Sequence, residues 1–450
     1  MLSLNRVLVL YDPCSDSRNN LLKDVSNAPR NNLLNDASNT SRSDSLRHSR
    51  SDFHTVETKP SVVGTLARTR DGLFAFEYHD DWIKDGFSLN PLSLPLEKRV
   101  FIARRDLLDG MFGVFRDSLP DGWGRLLVDR SLSAHGEDSL AIDDLIRLAI
   151  VGSSGMGALV YEPDYSSQLS TAAEYREDLD VLATECAVLF SADSSADYSA
   201  DLDTLFALGA SSGGARPKVL IAVDGQDWII KFASTIDPKN IGEQEYAYAS
   251  AAQACGIEMP QTHLFPSRLC PGYFGVRRFD RGPQGQRIHM ASAAGLLETS
   301  HRTPNLDYHI LMKLTLRLTQ DISELKRLFR LMCFNVFAHN RDDHSKNFSF
   351  LFYESEGPEG TRSSEIAMGS ERTKSSERVE GRWRLSPAYD LTYSSSFRGE
   401  HATTINGNGK DPGHDDILAV ARQAGISLRW AKAVADEIEE RTEHLKRFWR

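Results

Sequence analysis

The chain has 450 residues, of which 40% are hydrophobic and 26% are charged, a composition typical of a globular protein with about two to four domains. Its formal net charge is −11, so the chain as a whole should repel nucleic acid, and any binding to DNA would have to come through a partner. Apolar runs long enough for a membrane span and the pattern of a signal peptide are both missing, which predicts a cytoplasmic protein with no membrane contact. The five cysteines are scattered without a CxxC pair, so neither a zinc site nor a disulfide framework is expected.

The N-terminal part predicts strands interrupted by a polar segment. Residues 6–11 and 62–68 have strand-like patterns, and residues 13–58 between them are rich in Ser, Asn, Arg and Asp and repeat RNNLLKDVSN as RNNLLNDASN. We interpret this segment as a low-complexity insertion. Further along, residues 62–104 alternate as strands do, a helix is expected at 120–132 after a Pro-Asp-Gly turn, and the glycine run 152–161 predicts a tight turn into a strand.

The remaining chain predicts mixed helices and strands. Residues 205–232 are expected to hold a glycine-rich turn between strand-like segments, and 241–257 should be helical. A helix at 322–339 carries apolar residues at three- and four-residue spacing, which gives it one apolar stripe. The runs FSFLFY and WRLS then predict the two strands of a hairpin, interrupted by a second polar insertion at 354–382.

The stretch HNRDDHSKNFSFLF at 339–352 concentrates polar groups between apolar runs. Asp342 and Asn347 have the spacing of a loop in which an aspartate accepts a proton from a substrate hydroxyl while an asparagine holds Mg²⁺ on ATP phosphates. Magnesium usually takes one or two protein carboxylates, so a second acidic ligand is expected nearby. Asp390 fits, because the predicted hairpin without its insertion leaves only 14 positions between Asn347 and Asp390.

A phosphate cradle and a cation lie upstream in the order that a phosphotransferase requires. In GASSGGARPK at 209–218, Gly213 and Gly214 would let the backbone approach phosphates and offer N–H groups. Lys231 is the single charge of the apolar strand WIIKF, where it needs an anion such as an ATP phosphate and a helix glutamate. By spacing alone, either Glu243 or Glu245 could be that glutamate.

Taken in order, the glycine loop, IIKF, the helix QEYAYASAAQACGI, RRFDR, NRDDHSKNFS and SPAYD resemble the HipA-like serine/threonine kinases, which are the toxins of bacterial type II toxin-antitoxin pairs. The resemblance extends from about residue 60 to the C-terminus and includes PLSLPL and VFRDSLPDGWGRLLVDR in the N-terminal part. It implies an α+β, two-lobed, protein-kinase-like fold with an extra β-rich N-terminal subdomain and a mostly helical C-terminal lobe. The expected parts are an N-terminal subdomain at 1–165, a kinase N-lobe at 166–280 and a C-lobe at 281–450.

The resemblance also implies roles for particular residues. Asp342 would be the catalytic base, Asn347 and Asp390 the magnesium ligands, and Lys231 with its glutamate partner the phosphate-binding pair. The residues expected to bind ATP are Gly213, Gly214, Ala215, Arg216, Lys218, Lys231, Arg277, Arg278, Phe279, His344 and Lys346. Arg277 departs from the family pattern, which more often has glutamate there. Ser211, or its neighbour Ser212, matches the position at which members of the family silence themselves by autophosphorylation.

Several of these residues also have simpler interpretations. His344 could be a structural hydrogen-bonding group rather than a catalyst, and Lys346 could be a surface charge rather than a phosphate contact. Ser211 and Ser212 could be small turn residues. His289 and His301 are interpreted as solvated loop residues.

The resemblance implies ATP and Mg²⁺ as cofactors, a HipB-like helix-turn-helix antitoxin as partner, and DNA contact only through that antitoxin. The protein substrate would be a translation component such as an aminoacyl-tRNA synthetase. Two alternatives remain open, a small-molecule kinase and a largely non-catalytic co-repressor subunit bound to an antitoxin.

Overall fold

The computed structural model describes residues 4–13, 60–166, 178–191, 201–282, 285–354, 381–395 and 399–449. The two predicted insertions, 13–58 and 354–382, lie outside the described residues except at their ends. In the described part of the chain, each helix is too short or too polar to span a membrane.

A five-stranded antiparallel sheet forms the N-terminal part, in the order β4-β3-β2-β1-β5. Its strands are β1 (Arg6–Tyr11), β2 (Ser61–Arg68), β3 (Phe74–Tyr78), β4 (Val100–Ile102) and β5 (Leu159–Glu162). The helices that accompany it are α1 (Asp80–Asp85), α2 (Gly113–Arg116), α3 (Gly122–Ala134) and α4 (Asp144–Val151). Alternate residues of β3, and of β1 as far as Val9, are buried, as expected for strands with one covered face. The glycine run is a turn that enters β5, as predicted, and Gly152 has a φ of +50° there.

The middle part is built on a four-stranded antiparallel sheet in the order β6-β7-β9-β8. Its elements are α5 (Leu179–Ser191), α6 (Leu202–Gly209), β6 (Lys218–Val223), β7 (Gln226–Lys231), α7 (Ile241–Ala254), β8 (Thr262–Phe265) and β9 (Tyr273–Arg277). The prediction of a strand from residue 205 is wrong, because this run belongs to α6. The Asp201 side chain caps that helix by accepting a hydrogen bond from the Thr204 amide at 3.0 Å.

The C-terminal part is mostly helical. Its elements are β10 (His289–Ser292), α8 (Ala293–Leu296), β11 (Leu306–Asp307), α9 (Tyr308–Thr319), α10 (Ile322–Phe337), β12 (Ser349–Glu354), β13 (Gly381–Leu385), β14 (Thr403–Thr404), α11 (His414–Gln423) and α12 (Leu428–Thr442). The predicted hairpin is confirmed, since β12 and β13 pair antiparallel, and β10 joins them on the other side. α10 ends just before the polar stretch at 339–352.

Two apolar cores connect the three parts. The larger core joins the N-terminal part to the C-terminal part, for example where the rings of Phe87, after α1, and Phe352, on β12, stack at 3.9 Å. The smaller core packs α3 and α4 against the middle sheet and includes Trp123, Val219 and Ile230. The N-terminal part therefore contacts both of the others, its sheet on one side and α3 on the other.

The prediction for His289 is wrong. This histidine lies on β10 and is fully buried, with Nε2 3.3 Å from the Leu89 carbonyl oxygen and rings of Phe87 and Trp383 close by. Burial lowers the pKa of His289 to about 4, which keeps the imidazole neutral.

Candidate active site

An ion-pair network between the middle and C-terminal parts lies at the centre of the site. Lys231, the last residue of β7, has its ammonium 3.1 Å from a carboxylate oxygen of Glu245 on α7. The same ammonium donates a hydrogen bond to Asp390. Lys231 therefore contacts a glutamate of the predicted helix, as the sequence indicated, and also Asp390, which the sequence placed beside Asn347.

The structure also decides between the two candidate glutamates. Glu245 faces the sheet with its side chain only 3% exposed, whereas Glu243, two positions earlier on α7, is exposed. Helical geometry turns residues two apart to different faces, so only one of them can reach β7. That residue is Glu245.

The hairpin of β12 and β13 brings Asp390 to Lys231. After β13, the Ser386 amide donates to the Ser349 carbonyl at 2.8 Å, and the Ala388 amide donates to the Glu258 carbonyl at 2.8 Å. Asp390 then adopts a left-handed backbone conformation, with a φ of +57°. Such a conformation is uncommon for a residue with a side chain and is retained where the surroundings enforce it.

The charges of the network hold both partners in their ionised forms. The Lys231 ammonium lowers the pKa of Asp390 well below its usual range, and this outweighs the opposing effect of burial. Burial would lower the pKa of Lys231, but the carboxylates of Asp390 and Glu245 raise it well above its ordinary value. The lysine is therefore a fixed cation, and Asp390 a fixed anion, near neutral pH.

The loop after α10 presents Asp342 and Asn347. The Asn347 amide Nδ2 donates to the backbone carbonyl of Asp342 at 2.7 Å, which fixes the spacing between the two residues. Asp342 is 59% exposed, and its carboxylate lies 4.0 Å from His344 Nε2. Partial desolvation raises the pKa of Asp342, the charge of Asp390 raises it further, and His344 opposes the rise. A carboxylate of raised pKa that is open to solvent suits a general base for an incoming hydroxyl.

The neighbouring Asp343 has a different role. Its side chain is buried and accepts hydrogen bonds from the Tyr308 hydroxyl at 3.0 Å and the Thr403 amide at 3.2 Å, and it lies 3.0 Å from His401 Nδ1. These contacts join the loop to α9 and β14. Asp343 therefore supports the loop, and Asp342 is the aspartate that the loop presents.

The glycine loop, residues 213–215, lies next to this network. Gly214 has a φ of +84°, a conformation that favours glycine, and a Cβ there would lie 2.6 Å from Lys218 Nζ. The Lys218 ammonium is buried beneath the loop and donates to the Gly213 carbonyl. Burial and the charge of Lys231 lower the pKa of Lys218 to about 8.

Arg216 and Lys346, both predicted to bind ATP, are paired with carboxylates. The Arg216 guanidinium donates to Glu245 at 3.0 Å and to both oxygens of Asp237 at 3.0–3.1 Å. Lys346 Nζ donates to Asp121 Oδ2 at 2.6 Å. Asp237 and Asp121 were missed by sequence reasoning, because neither lies in a recognisable pattern with its partner.

The three residues of the RRF segment, Arg277, Arg278 and Phe279, lie in different environments. Arg277 ends β9, where its amide donates to the Gln261 carbonyl at 2.8 Å. The Phe279 ring lies 5.3 Å from that of Tyr389, next to Asp390. The Arg278 side chain, however, is 1% exposed and binds Asp280 and the Gly155 carbonyl, so the prediction that it contacts a nucleotide is not supported by its position.

The two serines before the glycine loop are both hydrogen-bonded. Ser211 Oγ donates to the Ser154 carbonyl at 2.9 Å, and Ser212 Oγ donates to the Gly209 carbonyl at 2.6 Å. Ser211 is half-buried, while Ser212 is only 4% exposed. Either hydroxyl would have to leave these contacts to be modified.

The donor set fits a magnesium nucleotide. Asp390 and the amide oxygen of Asn347 are hard oxygen donors, and Mg²⁺ typically takes one or two such protein ligands together with phosphate oxygens. Among the described residues, no group of three or more His, Cys, Asp or Glu side chains forms a ready-made metal site. Two oxygen donors alone leave room for phosphate oxygens in the coordination of Mg²⁺.

The sheet-based middle part, the helical C-terminal part and the charged residues between them define an α+β protein of the kinase-like fold. A solved HipA structure from Shewanella oneidensis MR-1, in complex with HipB and operator DNA, is similar to this chain with a TM-score of 0.58 and 17% identity. The match covers 85% of this chain and 87% of that one. The Helicobacter pylori proinflammatory kinase CtkA matches at a TM-score of 0.31 and 14% identity, over 52% of this chain and 90% of its own.

Family models identify the chain more specifically. The HipA-like C-terminal domain matches residues 210–445, more than half of the chain, and the HipA N-terminal domain matches residues 55–162. The chain belongs to the HipA-like family. A search of the curated proteins finds no significant match.

Proposed function

We propose that this protein is a serine/threonine protein kinase that uses ATP and Mg²⁺ and acts as the toxin of a type II toxin-antitoxin pair. The observation that carries the proposal is the contact of Lys231 with both Glu245 and Asp390, next to the loop of Asp342 and Asn347. In phosphoryl transfer, catalysis consists mainly of positioning and charge stabilisation, and this set of residues supplies both.

Each residue has a distinct role in the proposal. Lys231, held by Glu245, binds phosphate oxygens, while Asp390 and Asn347 hold Mg²⁺, which neutralises phosphate charge when bound. Asp342 accepts the proton of the attacking hydroxyl. The exposure of Asp342 favours a hydroxyl on a macromolecule over a small molecule enclosed in a pocket, and so favours a protein substrate. A translation component such as an aminoacyl-tRNA synthetase is the substrate implied by the family resemblance.

The partner in this proposal is a HipB-like helix-turn-helix antitoxin. The similar HipA of Shewanella oneidensis was solved together with HipB and operator DNA. The net charge of −11 fits a protein that reaches DNA through a basic partner rather than directly.

The test is phosphoryl transfer from labelled ATP with Mg²⁺, comparing the wild type with Asp342→Asn. We expect the wild type alone to transfer label, and mass spectrometry should find phosphate on Ser211 or Ser212 if the kinase modifies itself. Equal transfer by a folded Asp342→Asn variant would refute the assignment of the base. Transfer to small hydroxyl compounds but not to protein in a lysate would instead identify a small-molecule kinase.

A further inference from the structure

The start of α3, in the N-terminal part, lies directly against the glycine loop. The Trp123 amide donates to the Gly214 carbonyl at 2.8 Å, and the Trp123 indole donates to the Lys218 carbonyl at 3.0 Å. A Cβ on Gly122 would lie 2.2 Å from the Gly214 oxygen, and one on Gly124 would lie 2.2 Å from the Ser212 oxygen. The sequence DGWG at 121–124 thus has glycines where the two backbones come too close for side chains.

Asp121, at the first position of this motif, joins three parts of the chain. Its Oδ1 accepts a hydrogen bond from the Gly214 amide at 2.5 Å, and its Oδ2 accepts one from Lys346 Nζ at 2.6 Å. Gly214 belongs to the glycine loop, and Lys346 belongs to the loop that carries Asp342 and Asn347. One carboxylate therefore connects the two loops between which the nucleotide phosphates would lie.

Asp121 is well placed to hold this geometry. Its side chain is 17% exposed, so its two bonds are partly protected from competition by water. Burial would raise its pKa, but the Lys346 charge lowers it, so the carboxylate is ionised near neutral pH. The N-terminal part is itself fixed to the C-terminal part, since Asp117 accepts hydrogen bonds from the Ser292 amide and hydroxyl, both at 2.7 Å.

We propose that Asp121 is a positioning residue. By binding the Gly214 amide and the Lys346 ammonium together, it holds the glycine loop close to the loop that carries Asp342 and Asn347. The N-terminal part would then keep the two sides of the phosphate site at the correct distance. The claim that Asp121 promotes nucleotide binding rests on the proposed kinase function. The claim that Asp121 restrains the glycine loop is independent of that function.

The first test measures how well the backbone amides of the glycine loop are protected from exchange in the absence of nucleotide. Hydrogen–deuterium exchange of residues 211–218 would be compared in the wild type, Asp121→Ala, Asp121→Asn and the control Asp80→Asn. Asp80 is an exposed residue of α1 in the same part of the chain, paired with Lys98 and away from the glycine loop. Loss of a charge-assisted hydrogen bond should speed exchange about tenfold or more in Asp121→Ala. Asp121→Asn keeps an acceptor for the Gly214 amide and should show a smaller increase, and Asp80→Asn none.

The second test separates positioning from stability by steady-state kinetics. In Asp121→Ala, the KM for ATP should rise about tenfold, with a smaller change in kcat, because the residue acts through the loop rather than on the reacting atoms. Gly124→Ala gives an independent perturbation, since alanine favours the helix but its methyl group would displace the Ser212 carbonyl. Gly124→Ala should therefore also raise the KM for ATP.

The outcomes distinguish the two proposals. Unchanged exchange in Asp121→Ala would overturn the inference. Faster exchange with an unchanged KM for ATP would overturn its second part, that holding the loop assembles the phosphate site. If the wild type bound no magnesium nucleotide at all, the proposed kinase function would fail, while the exchange experiment would still decide whether Asp121 holds the loop.

Discussion

Glu245 and Glu243 offer a matched pair of substitutions on one helix. Glu245→Gln removes a buried charge that binds Lys231 at 3.1 Å and Arg216 at 3.0 Å, whereas Glu243→Gln removes an exposed one of the same chemistry. We expect the first variant to lose both stability and phosphoryl transfer, and the second to resemble the wild type.

The expected loss in the free energy of unfolding depends on which ion pairs Lys231 and Arg216 keep after the substitution. Removing one partner of a buried ion pair costs about 3–5 kcal/mol. In Glu245→Gln, however, Lys231 keeps Asp390 and Arg216 keeps Asp237, so about 2–3 kcal/mol in the free energy of unfolding is expected. Glu243→Gln should stay within about 0.5 kcal/mol of the wild type, as exposed substitutions usually do.

Denaturant unfolding and an ATP transfer assay measure the two effects. A loss of about 1.4 kcal/mol in the positioning of Lys231 would slow transfer about tenfold. If Glu245→Gln transferred phosphate at the wild-type rate, or if both variants lost activity equally, the assignment of Glu245 as the partner of Lys231 would be refuted.

Two further predictions concern pH. If Asp342 is the proposed base, it acts only when ionised, so its raised pKa should place the acidic limb of the kcat/KM profile above that of an ordinary aspartate. His344→Gln should move that limb to still higher pH, because the interaction with His344 opposes the rise. A limb that stays in place or moves lower in the variant would contradict this. Lys218 should lose its charge as the pH rises through about 8, so calorimetric ATP affinity should weaken across that range, and Lys218→Arg should remove the dependence. The same slope in Lys218→Arg would show that another group titrates.

Local patterns predicted much of this fold, and they failed where the structure depends on distant partners. The hairpin of β12 and β13 was recognisable because both strands kept their apolar patterns on either side of an insertion. The run at 205–209 was assigned wrongly, since a short apolar segment fits a strand or a helix equally well and the Asp201 cap of α6 was overlooked. His289 is buried through rings that come from other parts of the chain, which local sequence does not reveal.

In the candidate site, too, some residues could be found from local sequence and others depend on distant parts of the chain. The spacing of Asp342 and Asn347, and a lone lysine in an apolar strand, were visible in the sequence. The choice of Glu245 over Glu243 required knowing which face of α7 meets the sheet. Asp121 had no local signal at all, because it lies 93 positions from Gly214 and 225 from Lys346. Only the packing of α3 against the glycine loop brings these groups together.

We propose that Asp342 takes part in the transfer step rather than in nucleotide binding or folding. Its most direct test is to measure, on the same Asp342→Asn preparation, magnesium-ATP affinity by calorimetry and phosphoryl transfer in a single turnover. We expect nucleotide affinity within about threefold of the wild type and transfer reduced by about 100-fold or more, the effect of losing a general base. Transfer at the wild-type rate with the same affinity would contradict it.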